Sequence, residues 1–167
     1  DANKRLLKKN GKMIPESGTI KISLLGNDKE IFKTTSVANV NGFDLSEFNS
    51  ISQSKFPHIL KKKPTLLSNN EDAFTINLYN EDNLVKEEKI IELKVNKEGL
   101  CLGIIQWMKI QLYKDIEYEN SPGEYLDSPT GWPTPIHLFD KPVSLKKGDV
   151  LKIRASLGTD NLWFFKE

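Results

Sequence analysis

The sequence predicts an all-β fold, an antiparallel barrel or sandwich with a long arm-like excursion and a short helical remnant at its N-terminus. Three observations carry that prediction. After Pro15 the apolar residues recur with a period of two in one segment after another, turn residues such as Gly26-Asn27-Asp28 separate those segments, and helical patterning is scarce. Many short alternating strands pack as antiparallel sandwiches or barrels.

The opening "NKRLLKKNGKMIP" reads as the end of a helix. Leu6 and Leu7 sit among lysines, which favour a helix C-terminus, and Asn10-Gly11 supplies a left-handed stop. A helix of about ten residues is marginal alone in water, so this is read as the tail of an element begun before Asp1. The strands follow. Ile20, Ile22 and Leu24 alternate with Lys21 and Ser23, and Gly26-Asn27-Asp28 turns the chain toward "EIFKTT", with further strands on the same logic. Phe74, Ile76 and Leu78 alternate, as do Ile91, Leu93 and Val95. The run Gly99 to Tyr113 is a long strand with Leu100, Leu102 and Ile104 on one face and a bulge expected at Gly103, where it bends. "PIHLF", "DVLKIRASL" and "NLWFFK" complete the set.

Two segments break the alternation. Phe43 to Ser68 carries Phe48, Phe56, Ile59 and Leu60 in a polar setting and reads as an excursion from the sheet, with a short helix capped by Asp44 or Ser46. An excursion of that length is usually functional or an interface. Lys114 to Trp132 reads as a long loop with five carboxylates between Asp115 and Asp127.

Composition narrows the function classes. The 167 residues hold 24 basic and 23 acidic side chains, without the basic surplus that phosphate binding leaves. The one cysteine, Cys101, cannot form an internal disulfide, which fits a reducing compartment. No apolar run approaches the roughly 20 residues that span a bilayer, and the start has no signal-peptide core. The expectation is a soluble, cytoplasmic chain with neither nucleic acid nor membrane as partner.

Candidate chemistry is sparse. His137 sits on an alternating strand and reads as a strand residue; His58, beside Pro57, reads as surface or interface. There is no His-x-His, CxxC or Glu-x-x-His and no Gly-rich phosphate loop, so neither a zinc nor a nucleotide site is expected. The loop carboxylates match no calcium spacing and read as a solvated hairpin, or as an acidic rim for a cationic substrate. "LKKKP" reads as solvation. No catalytic, cofactor-binding or metal-binding residue is expected in this chain. "SPTGWPTPIHLF", Ser128 to Phe139, reads as a stiff loop that sets a tryptophan at a rim.

Three segments in order resemble the C-terminal β-barrel domain of the protein arginine methyltransferases and their bacterial relatives. They are "LLKKNGKMIPESGTIKISLL", "NVNGFDLSEF" and "SPTGWPTPIHLFDKPVSLKKGDVLKI", of which Asn-x-x-Gly-Phe-Asp is the most specific. The resemblance implies residues 1–15 as the end of a preceding Rossmann-like domain and its linker, and 16–167 as the barrel. It implies a full-length S-adenosylmethionine-dependent methyltransferase whose cofactor and catalytic glutamates belong to the missing domain, with no S-adenosylmethionine site in this chain. It also implies a homodimer made through an arm at about 47–64, with Phe48, Phe56, Ile59 and Leu60 meeting the Rossmann half of a partner, and a protein or small-molecule methyl acceptor. Thr130, Gly131, Trp132 and Asp44 would face substrate, Thr130 and Trp132 matching the ends of the family's Thr-His-Trp loop. Gly131 replaces its histidine, which marks a divergent, bacterial-type member. The residues also allow a stand-alone β-sandwich module binding carbohydrate through Trp107, Trp132 and Trp163, although Trp107 and Trp163 lie in apolar strands and read as core. A degenerate barrel kept for assembly is a third reading.

Overall fold

The spine of the molecule is a fifteen-residue strand, β7 (Gly99–Tyr113), in a computed structural model that describes residues 5–52, 54–57, 62–79, 86–123 and 132–167. Along one side β7 pairs antiparallel with β1 (Ser17–Gly26), which in turn pairs with β5 (Glu71–Asn77). Along its other side two strands follow one another. The first half of β7 pairs with β9 (Ile136–Leu145), and the second half folds back as a hairpin onto β8 (Ile116–Glu119). The two-residue β4 (Lys55–Phe56) adds to the outer edge of β9. A second sheet orders β11 (Leu162–Lys166), β10 (Val150–Leu157) and β6 (Glu87–Lys94).

The alternation that predicts these strands also fills the space between the sheets. Ile20, Ile22 and Leu24 of β1, Phe74 of β5 and Ile104 of β7 pack against Leu93, Ile153, Ala155, Leu162 and Phe164. The class is all-β and antiparallel, as expected. The sheets form a sandwich, and among the described residues no hydrogen-bonded ladder closes them into a barrel.

The long strand changes phase at its glycine. Cys101 and Ile104 lie in the inter-sheet core, whereas Leu102 and Ile105 join Leu25, Trp107 and Ile136 in a cluster on the other face of the large sheet. Same-face residues of a flat strand are separated by even steps, so a spacing of three marks an inserted residue. The register shifts there against both neighbours. The expected bulge is present, and it corrects the expected single face: Leu102 and Ile104 point to opposite sides. A Cβ on Gly103 would stand 2.0 Å from the His137 carbonyl oxygen, so the close crossing of β9 admits only glycine.

Past Gly26-Asn27-Asp28 comes a helix rather than another strand, α1 (Lys29–Thr35). The signal was local. The Asp28 carboxylate accepts hydrogen bonds from the Glu30 and Ile31 amides and pairs with Lys62 at 3.2 Å. Burial alone would raise its pKa, but those partners outweigh it and hold the group below its ordinary value. Only Ile31 of α1 is buried, in the outer cluster.

The N-terminal remnant is helical at Arg5–Leu6 among the described residues. Its stop differs from the expected one. Neither Asn10 nor Gly11 takes a positive φ, and the Gly11 amide instead closes a turn on the Lys8 carbonyl at 2.7 Å.

Candidate functional site

The rim that carries Trp132 is assembled on three consecutive residues of β7. The Gln106 amide donates to the Pro135 carbonyl at 2.8 Å, which pins the chain just before β9. The Met108 amide donates to Asn120 Oδ1 at 2.8 Å, and the Asn120 amide returns a bond to the Met108 carbonyl, which pins the chain just after β8. Between them the Trp107 indole donates to Glu119 Oε1 at 2.6 Å. Trp132 therefore stands where β8 ends and β9 begins, 46% exposed, with its ring edge-to-face against Tyr118 at 5.8 Å and 85°. Thr130 and Gly131 lie outside the described residues.

The carboxylate segment is in part a true hairpin. Lys114 turns it with φ of 49°, and Ile116 and Tyr118 alternate with Glu117 and Glu119 in β8. Glu117 pairs with Lys109 at 2.8 Å, and that hydrogen bond raises the lysine pKa. With Glu119 bound to Trp107, two of the expected rim carboxylates already have partners. Glu124 and Asp127 lie outside the described residues.

His137 is a core residue. Its Nε2–H donates to the Gln106 side-chain oxygen at 2.9 Å, leaving Nδ1 as an acceptor with no partner among the described residues. Burial, helped by the Lys55 ammonium, pushes its pKa down to about 3, so the ring is neutral at physiological pH and makes a poor base. Lys55 donates to the Leu162 carbonyl at 3.0 Å and lies over the Trp163 ring. Burial lowers its pKa. Trp107 is buried and Trp163 half-buried under this lysine, so neither offers an open stacking platform. His58 lies outside the described residues.

The excursion starts earlier than its sequence pattern shows. The chain leaves β1 after Gly26, pairs with the sheet again at β4 on the β9 edge, and rejoins β1 where the Gly26 amide meets the Thr65 carbonyl at 2.8 Å, so α1 belongs to it. The hairpin of β2 (Asn39–Val40) and β3 (Phe43–Asp44) follows, then a 3-10 turn, Ser46–Ile51. Asn41 and Gly42 take φ of 54° and 88°, the pattern of a two-residue type I′ hairpin. The Asn-x-x-Gly-Phe-Asp motif is thus also a general hairpin signal. Asp44 is exposed, and its carboxylate accepts from the Ser46 amide, which lowers its pKa. It stands one residue before the cap position, which Leu45 occupies. No hydrogen bond or ring contact among the described residues joins Asp44 to Trp132.

Of the expected arm residues, Phe48 is 59% exposed and Phe56 is half-buried in β4, while Ile59 and Leu60 lie outside the described residues. Phe43 and Ile51, which the sequence reading missed, are 71% and 80% exposed. A groove of about 490 Å3 separates the excursion from the bulged middle of β9, floored by Phe32, Leu102, Leu138 and Phe139 with Asp140 at its edge.

The one strand-to-α-helix junction among the described residues lets the Asp28 carboxylate cap α1, occupying the amides that would have to meet a ligand. Among the described residues no three His, Cys, Asp or Glu side chains gather as a metal site, and no helix is long and apolar enough to cross a membrane. The Cys101 thiol is buried and its pKa is pushed up to about 11, away from nucleophilic use.

No family model matches the sequence, and no curated protein does. Among solved structures, the fold is similar to that of the Trypanosoma brucei PRMT1 enzyme-prozyme heterotetrameric complex with AdoHcy, at a TM-score of 0.73 and 18% identity. The match covers 93% of this chain and 51% of that one, so the chain spans about half the length of its structural neighbour.

Proposed function

We propose that this chain is the substrate-facing and dimer-forming C-terminal β-domain of an S-adenosylmethionine-dependent methyltransferase resembling the protein arginine methyltransferases. The observation that carries the reading is the extent of the likeness, 93% of this chain against half of a protein whose complex holds AdoHcy. Residues 1–15 are then the end of a Rossmann-like domain that binds the donor, and the catalytic glutamates lie in that domain. The two devices left to this half are a wall and an arm.

Trp132 supplies the wall. Methyl transfer needs in-line approach of the acceptor to the sulfonium methyl, so positioning and exclusion of water carry much of the rate. An aromatic ring pinned at a rim serves both, and its face also suits a cationic acceptor. Gly131 leaves Trp132 without the family's neighbouring histidine, so the wall here is aromatic rather than polar. The apolar residues of the excursion supply the arm against a second subunit. In the full-length protein, Trp132→Ala lowers turnover by roughly tenfold or more with cofactor affinity near normal, as misplacement of a reactant costs. Unchanged turnover removes Trp132 from the site.

A further inference from the structure

We propose that Tyr118 is a positioning residue for Trp132, and that the β7–β8 hairpin exists at this rim to present it; the role rests on the reading of Trp132 as an active-site wall. Prolines around Trp132 stiffen its backbone, but they leave the side-chain torsions to packing. Tyr118 meets the half-exposed Trp132 ring edge-to-face at 5.8 Å and 85°. Such a pair prefers this geometry and resists rotation of either ring.

Alternation along β8 explains why the hairpin can do this. Glu117 and Glu119 face one side, where they hold Lys109 and the Trp107 indole. Tyr118 faces the other side, opposite Ile110 in the ladder, and reaches Trp132. The hairpin is thus fastened by its carboxylates and acts through its aromatic ring. Asn120 and Pro135, pinned two β7 residues apart, keep the tyrosine and the tryptophan in one frame.

Amide-correlation spectra resolve the three indole N–H groups of Trp107, Trp132 and Trp163. Tyr118→Ala is expected to move the Trp132 indole signal and leave that of Trp107 in place, and Tyr118→Phe to keep both. Tyr118→Leu, which retains apolar bulk without a ring, should behave as the alanine variant does and guards against an unfolded alanine form. In the full-length protein, with S-adenosylmethionine and an arginine-rich peptide as the acceptor probe, Tyr118→Ala should lower kcat about threefold to tenfold, the range of an aromatic edge contact. Tyr118→Phe should restore it, and the KM for the cofactor should not move. The double variant with Trp132→Ala should turn over no more slowly than Trp132→Ala alone. A Trp132 signal that stays put in folded Tyr118→Ala and Tyr118→Leu overturns the proposal, as does a double variant slower by the full Tyr118 factor. If Trp132→Ala itself leaves turnover unchanged, the wall reading fails, and the indole signal still decides whether Tyr118 sets the ring.

Discussion

In the sandwich, Ile22, Leu24, Ile104 and Ile153 are wholly buried, whereas in the excursion Phe43, Phe48 and Ile51 stand 59% to 80% exposed. The two regions hold their shapes by different means. Sandwich strands are long enough to lay alternate side chains between two sheets. Between α1 and β4 the excursion has a hairpin of two-residue strands and two turns of 3-10 helix, and there it keeps its form through short-range hydrogen bonds. Asn39 accepts from the Gly42 amide, Asp44 from that of Ser46, and Asn49 both accepts from and donates to Val37. A segment that fixes its backbone locally while leaving large apolar groups in water is suited to meet another surface. The contrast separates what holds the fold from what is exposed for the proposed assembly, and substitutions can test that.

The largest effect belongs to the sandwich. Gly103→Ala places a methyl 2.0 Å from the His137 carbonyl oxygen, backbone against backbone, with no flexible side chain to give way. A loss of about 3 kcal/mol, at the upper end for overpacking, is expected in denaturant unfolding. A near-normal midpoint would mean that β9 can retreat from β7, and the sandwich would be less rigid than its register implies.

Next comes the acid response of the same core. His137 has a folded pKa of about 3 against 6.5 when exposed, so between those values the unfolded chain binds the extra proton. Stability therefore falls as pH drops from about 6.5 toward 3, by at most about 1.4 kcal/mol for each pH unit. His137→Gln cannot titrate and should flatten that slope whatever it does to stability at neutral pH. An unchanged slope in the variant would assign the acid response to other groups.

The same contrast governs what sequence alone could reveal. Period-two alternation gave β7 its bounds at Gly99 and Tyr113, because burial on a pleated sheet repeats every second residue. It failed where one extra residue shifts the phase, at Leu102, and where local capping prevails, at Asp28 and α1. The stiff loop marked Trp132 as a rim residue because its prolines and tryptophan are adjacent in the chain. Tyr118 carried only a weak signal, the alternation of Ile116 and Tyr118 in "DIEYE", because its partner is supplied by tertiary pairing. Phe43 was hidden in the same way, taken as part of a motif rather than as an exposed side chain next to an Asn-Gly turn.

The smallest expected effect on stability is the sharpest test of the comparison. Ile51→Asp charges the most exposed large apolar residue of the described excursion. Without a partner it should shift unfolding of this chain by no more than about 0.5 kcal/mol, as surface substitutions do. In the full-length protein the same change buries a charge in the proposed contact, and a sizing column should show the dimer dissociating. A destabilisation of this chain well beyond that range would mean that Ile51 packs on its own sandwich and already has its partner. An intact dimer with a normal unfolding midpoint would leave Ile51 outside both surfaces, and the contact would then have to be sought on the Phe43 side of the hairpin.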